Sequence, residues 1–167
     1  YVQFVFIAIS IGYAIGSAPI IGYHYGAENY SELQNMLRKS VILMSASGVV
    51  LMVLAQLLAT PLSYVFVGKH PELFALTEHA FRLFAYSFIL SGFNIFASSF
   101  FTALNNGGVS AAISFLRTMV FQTLSVLILP IFFDVDGIWW AITAAEVFAC
   151  IISVLFIVAK RKKYHYC

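Results

Sequence analysis

Two charged residues sit deep inside uncharged, apolar stretches of this sequence: Arg117 within Leu83–Phe133 and Glu146 within Ile138–Ala159. A charge held at bilayer depth costs at least a few kcal/mol, so such residues are paired, neutralised or turned toward a cavity. Desolvation disfavours the ionised carboxylate, which makes Glu146 a candidate proton or cation site; the alternative is an ion pair that only fixes packing. Arg117 is the natural partner. Each residue lies about 13 Å from one end of its own apolar run at about 1.5 Å per residue. Their depths then differ by only about 4 Å across about 30 Å of hydrocarbon, so a mid-membrane Arg117–Glu146 contact is one reading. An error of two residues in each boundary moves each depth by about 3 Å. The favoured reading therefore has Arg117 snorkelling to the inner headgroups while Glu146 faces a cavity.

Ser87, Ser91, Asn94, Ser98 and Thr102 recur at intervals of three or four residues, which places them on one helical face. A polar seam in lipid turns away from the lipid. It is either a close helix–helix interface or the wall of a water-filled cavity lined by Ser87, Ser91, Asn94 and Ser98. Asn94 is the best placed of these to touch a ligand, because its amide both donates and accepts. No nucleophile–base arrangement and no metal-ligand spacing occurs, so neither an enzyme nor a cofactor is expected. Cys150 and Cys167 read as free thiols.

The elements that position these residues are long and apolar. Tyr1–Ala27 has no charged side chain apart from neutral His24, and Ser40–Gly68 has none. Apolar residues make up 62% of the sequence and charged residues 10%, against about 25% charged in a soluble domain. That leaves too little charge to cover a soluble surface. No alternating pattern of barrel strands runs through Val41–Leu58. The expectation is an all-α, polytopic transmembrane helix bundle embedded in a lipid bilayer. Its spans fall at about 1–25, 38–67, 80–104, 109–133 and 138–160. Short connections make neighbouring spans antiparallel. The net charge of +2 is too small to argue for a nucleic-acid partner.

Arg38 and Lys39 fall on the same face as Lys160, Arg161, Lys162 and Lys163. This basic excess marks a cytoplasmic face and places the C-terminus inside. Ser31-Glu32-Leu33-Gln34 fits a capping box opening a surface helix that runs into the second span. Glu78 and Arg82 can pair four residues apart. The first span carries Gly12/Gly16 and Gly22/Gly26, two faces suited to close packing. Pro19, between them, is expected to bend the helix. Pro61 and Pro130 are expected to mark helix ends, and His24 reads as a helix-end residue. A chain opening inside an apolar run on the outer side reads as part of something longer.

Several stretches resemble multidrug and toxic compound extrusion (MATE) transporters. Ala18-Pro19-Ile20-Ile21-Gly22-Tyr23-His24-Tyr25-Gly26-Ala27 resembles the end of the second helix of their C-terminal lobe. Phe100-Phe101-Thr102-Ala103-Leu104, a small polar turn and Ser114-Phe115-Leu116-Arg117 resemble a later hairpin. Asp136-Gly137-Ile138-Trp139-Trp140-Ala141, with Glu146 downstream, resembles the start of the last helix. The resemblance implies twelve helices in two six-helix lobes, with this chain holding helices eight to twelve: five spans of one lobe. The N-terminal lobe would then be its missing partner. It further implies a multi-pass plasma-membrane antiporter that expels organic, often cationic, small molecules in exchange for sodium ions or protons. Ser87, Ser91, Asn94 and Ser98 would line or support the cavity, Glu146 would tune its charge, and Pro19 would permit bending. The alternatives are a lipid-linked oligosaccharide flippase of the same superfamily and a non-transporting membrane assembly subunit.

Overall fold

The computed structural model describes residues 2–166. It is built of helices joined by short turns, and no strand occurs among the described residues. The helices are α1 (Val2–Gly26), α2 (Tyr30–Val67), α3 (Pro71–Ala85), α4 (Phe88–Ala103), α5 (Gly107–Phe115) and α6 (Gln122–Tyr164), with a π-helical segment over Leu116–Phe121 joining α5 to α6. Exposed Leu, Ile, Val and Phe side chains cover the outside of the bundle, as a lipid-facing surface requires. The chain is an integral membrane helix bundle.

By length and composition three helical stretches can cross a membrane, and the bent pair α3–α4 makes a fourth. The longest, Gly107–Tyr164, folds back on itself. Arg117 and Glu146 are 29 residues apart yet hydrogen-bonded at 3.0 Å; a straight helix would separate them by about 44 Å. The reversal is at Asp134, whose backbone (φ 49°, ψ −132°) is not helical. Gly137 makes the turn possible. A β-carbon there would stand 2.5 Å from the Leu129 carbonyl oxygen, so only glycine fits. The stretch thus supplies two antiparallel passes.

α4 is the hub, packed on α1, α2, α5 and α6. Its Phe96, Phe100 and Phe101 are fully buried in a core with Ile21, Leu33, Leu37, Met44 and Tyr166. Two glycines let backbones approach. A β-carbon at Gly48 of α2 would lie 2.6 Å from the Ile89 carbonyl oxygen and 2.8 Å from that of Phe88. One at Gly92 of α4 would meet Ser10 Oγ at 3.2 Å.

Several expectations need correction. α2 is capped by Asn29, whose Oδ1 accepts from the Glu32 amide at 3.3 Å. Ser31 already lies inside the first turn, so its hydroxyl cannot cap and instead donates to Asn29 Oδ1 at 3.1 Å. The helix that leads into the third span starts earlier, at Pro71, which occupies a first-turn position where its missing N–H is harmless. That span is broken between α3 and α4 by a 46° bend. Gln56 of α2 secures the break by donating from Nε2 to the Arg82 carbonyl at 2.8 Å. The expected Glu78–Arg82 pair forms at 2.8 Å beside it. Neither Pro61 nor Pro130 ends a helix: α2 continues to Val67 and the later helix to Asp134. Stopping short in lipid would strand more backbone carbonyls than one proline does. Pro19 lies inside α1 without ending it. Gly12, Gly16 and Gly26 have nothing within 4 Å of a built β-carbon, so of the four α1 glycines only Gly22, 3.4 Å from the Ala103 carbonyl oxygen, touches another helix.

Candidate functional site: a polar cleft beside a buried ion pair

α1, α4, α5, the π-segment and α6 enclose an open cleft of about 480 Å³. One side is aliphatic, supplied by Ile7, Ile11 and Ile15 of α1. The other is polar, supplied by Asn94, Ser98, Thr102, Ser114, Arg117, Thr118, Gln122 and Glu146.

Glu146 and Arg117 meet. Arg117 Nη2 donates to Glu146 Oε1 at 2.6 Å, and Nε to Oε1 at 3.0 Å and Oε2 at 3.1 Å. Arg117 does not snorkel to the headgroups. The gain of a forked guanidinium–carboxylate pair in a dry setting outweighs the pull of the interface. The π-segment contributes: the Gln122 amide bonds to the Arg117 carbonyl five residues back, which adds a residue to the turn that carries Arg117.

Asn94 completes the network from behind. It is fully buried. Its Nδ2 donates to Glu146 Oε2 at 2.7 Å and to the Glu146 carbonyl at 3.0 Å. Its Oδ1 accepts from the buried hydroxyl of Ser153 at 3.3 Å. Both carboxylate oxygens therefore carry donors, and the amide of Asn94 is committed to α6 rather than left free toward the cleft. Glu146 is 8% exposed at its side chain and Arg117 18%, so the guanidinium is the part of the pair nearer the opening.

The seam on α4 divides in function. Ser98 Oγ bonds the Ser110 and Ser114 hydroxyls at 2.9 and 2.8 Å, and Thr102 Oγ1 bonds that of Ser110 at 2.7 Å. These residues therefore join α4 to α5, and Ser98, Thr102 and Ser114 also border the cleft. Ser87 and Ser91 are buried and lie outside it; the Ser91 hydroxyl turns back on the Phe88 carbonyl at 3.4 Å. Ser87 sits at the break before α4. Pro19 lies on the exposed side of α1, away from the cleft. His24 falls in the last turn of α1, its ring edge-on to Tyr23 at 5.4 Å.

Sequence reasoning missed three residues of the polar wall, Ser114, Thr118 and Gln122. Ser110, Ser114, Thr118 and Gln122 repeat every four residues, a second seam that mirrors the first and was available to the same periodicity argument. Cys150 is a free thiol on α6; Cys167 lies outside the described residues.

A bundle of membrane-crossing helices around a polar cleft, with the buried Arg117–Glu146 pair on the cleft wall, is an architecture suited to a membrane transport protein. A family model described as MatE matches residues 2–128, and the chain belongs to that family of transporters. Glu146 and Ser153 lie beyond the matched residues. No curated protein and no solved structure matches the chain.

Proposed function

We propose that this chain forms helices eight to twelve, five spans of the six-helix C-terminal lobe, of a secondary active antiporter. The antiporter exports organic, often cationic, small molecules across the plasma membrane in exchange for sodium ions or protons. The observation that carries this reading is the cleft itself: a concavity with a polar wall backed by the Arg117–Glu146–Asn94 network. Rocking of this lobe against an N-terminal lobe would open the cleft to one side at a time. The basic excess around Lys160–Lys163 supports a cytoplasmic C-terminus.

A flippase for lipid-linked pyrophosphate needs cationic side chains free in its cavity. The one cation on this wall is neutralised by Glu146, which makes that reading the weaker one.

The test is dye efflux from efflux-deficient cells expressing the complete gene product that contains this sequence. Accumulation of ethidium should fall, and collapsing the sodium or proton gradient should restore it. Unchanged accumulation with the protein present in the membrane overturns the reading. The five helices alone are expected to export nothing from liposomes.

A further inference from the structure

Six of the chain's nine lysines and arginines gather at one end of the bundle: Arg38 and Lys39 on α2, and Lys160, Arg161, Lys162 and Lys163 on α6. The structure brings these two groups together. Tyr25 and Tyr164 pack ring to ring at 5.6 Å, Tyr30 and His165 at 5.0 Å. Leu33 and Leu37 of α2 share one buried core with Tyr164 and Tyr166. Glu28 and Glu32 are the only carboxylates near this end in sequence, and neither forms an ion pair with the cluster. The salt bridges among the described residues, at His79–Asp136, Arg82–Glu78 and Arg117–Glu146, all lie elsewhere. Lys163 has an aromatic neighbour, lying over the Tyr164 ring at 5.4 Å, but no anion among the described residues.

Four consecutive cations on a helix cover an arc of about 300° at 100° per residue. They repel one another at short range, so the cluster needs counter-charge from outside the chain. Its depth says where that charge resides. About 36 Å of helix separates Asp136, at the other end of the last pass, from Lys160. That exceeds about 30 Å of hydrocarbon but stays within the 40–45 Å that includes the headgroups. The cluster therefore stands at the level of lipid phosphates. The buried Tyr164 and Tyr166 hold it there.

We propose that Lys160, Arg161, Lys162 and Lys163, with Arg38 and Lys39, form a binding surface for acidic phospholipid headgroups. This rests on the charge distribution and the membrane fold, and it is independent of what the cleft carries. Lysine and arginine near a negatively charged leaflet each add attraction that fades within a Debye length.

The experiment is native mass spectrometry of the purified protein in neutral detergent, with equal amounts of dioleoyl phosphatidylglycerol and dioleoyl phosphatidylcholine. The wild type should retain the acidic lipid about tenfold more than the zwitterionic one. The variant with Lys160→Gln, Arg161→Gln, Lys162→Gln and Lys163→Gln should lose that preference, and Arg38→Gln with Lys39→Gln should weaken it. Circular dichroism checks that each variant keeps its helices; if the fourfold variant does not, the Arg38/Lys39 pair carries the test alone. About 0.5 M salt should erode the preference. Equal retention of the two lipids, or a preference untouched in every folded variant, overturns the proposal. So does competition by soluble glycerol 3-phosphate at the same concentration, which would mark a free-anion site instead.

Discussion

Asn94 holds Glu146 at two points, the carboxylate at 2.7 Å and the backbone carbonyl at 3.0 Å. A backbone carbonyl inside a helix normally accepts only from the amide four residues on; this one also accepts from a side chain of another pass. The double grip ties α4 to α6 and fixes the rotation of Glu146 toward Arg117. The ion pair is thus oriented from the buried side and approached by the cleft from the other.

Removing one partner of this pair should hurt more than exchanging both. Arg117→Ala leaves a buried carboxylate supported by Asn94 alone and should lower stability by about 3–5 kcal/mol. Glu146→Gln keeps an oxygen for Arg117 and should lose less. The double variant Arg117→Glu, Glu146→Arg restores opposite charges and should unfold at a higher temperature in detergent than either single exchange. A double variant no more stable than the singles would refute the pairing.

Asn94 offers a chemical test of the grip. Asn94→Leu removes donors to a charged acceptor and should cost about 1.5–3 kcal/mol. Asn94→Asp keeps the shape but sets a second carboxylate where Oε2 of Glu146 now receives a hydrogen bond. Like charges at that distance repel strongly where little water screens them. Thermal unfolding should therefore rank Asn94→Asp below Asn94→Leu. The opposite order would refute the account of Asn94 as a donor to a charged acceptor.

Glycines that look alike in sequence should respond differently to alanine. At Gly48 the new methyl meets the Phe88 and Ile89 carbonyls, which are backbone and cannot swing aside. Forcing α2 off α4 should cost about 1–3 kcal/mol. At Gly16 the methyl meets nothing, so Gly16→Ala should be neutral or gain up to about 1 kcal/mol from helix propensity. Equal melting temperatures for the two variants would contradict the close approach.

The membrane fold was legible because lipid demands long apolar helices, and such runs are visible without any partner. The seam through Asn94 and Ser98 was legible for the same reason, since its period belongs to one helix. Two features were not. The break between α3 and α4 has no glycine or proline at 85–87; it is held by Gln56 and Gly48 from a different helix, and sequence does not say which helices touch. The Arg117–Glu146 contact turned on a few ångströms of depth. The π-helical turn and the Asp134 reversal set that depth, and neither leaves a pattern of apolar spacing. Gly12 and Gly16 carry the opposite lesson: a packing motif states what could approach, not that anything does.

The last residues of the chain give a prediction that separates packing from a single hydrogen bond. Tyr166 is fully buried, edge-on to Phe100 at 5.2 Å and stacked with Tyr164 at 6.3 Å. Its hydroxyl donates to the Ile157 carbonyl at 2.8 Å. The chain can turn back this way because His165 takes a left-handed conformation (φ 55°) directly after α6. Tyr166→Phe removes only the hydroxyl and should cost about 1 kcal/mol. Tyr166→Ala empties a ring-sized space beneath Leu33 and Leu37 and should cost about 3–5 kcal/mol. The loss should be local before it is global, because Tyr166 pins the end of α6 to Phe100 of α4. Trypsin should therefore cut after Lys160–Lys163 faster in Tyr166→Ala than in Tyr166→Phe, with the rest of the bundle still helical. Cleavage at the same rate in both variants would show that the tail is held by something other than this ring.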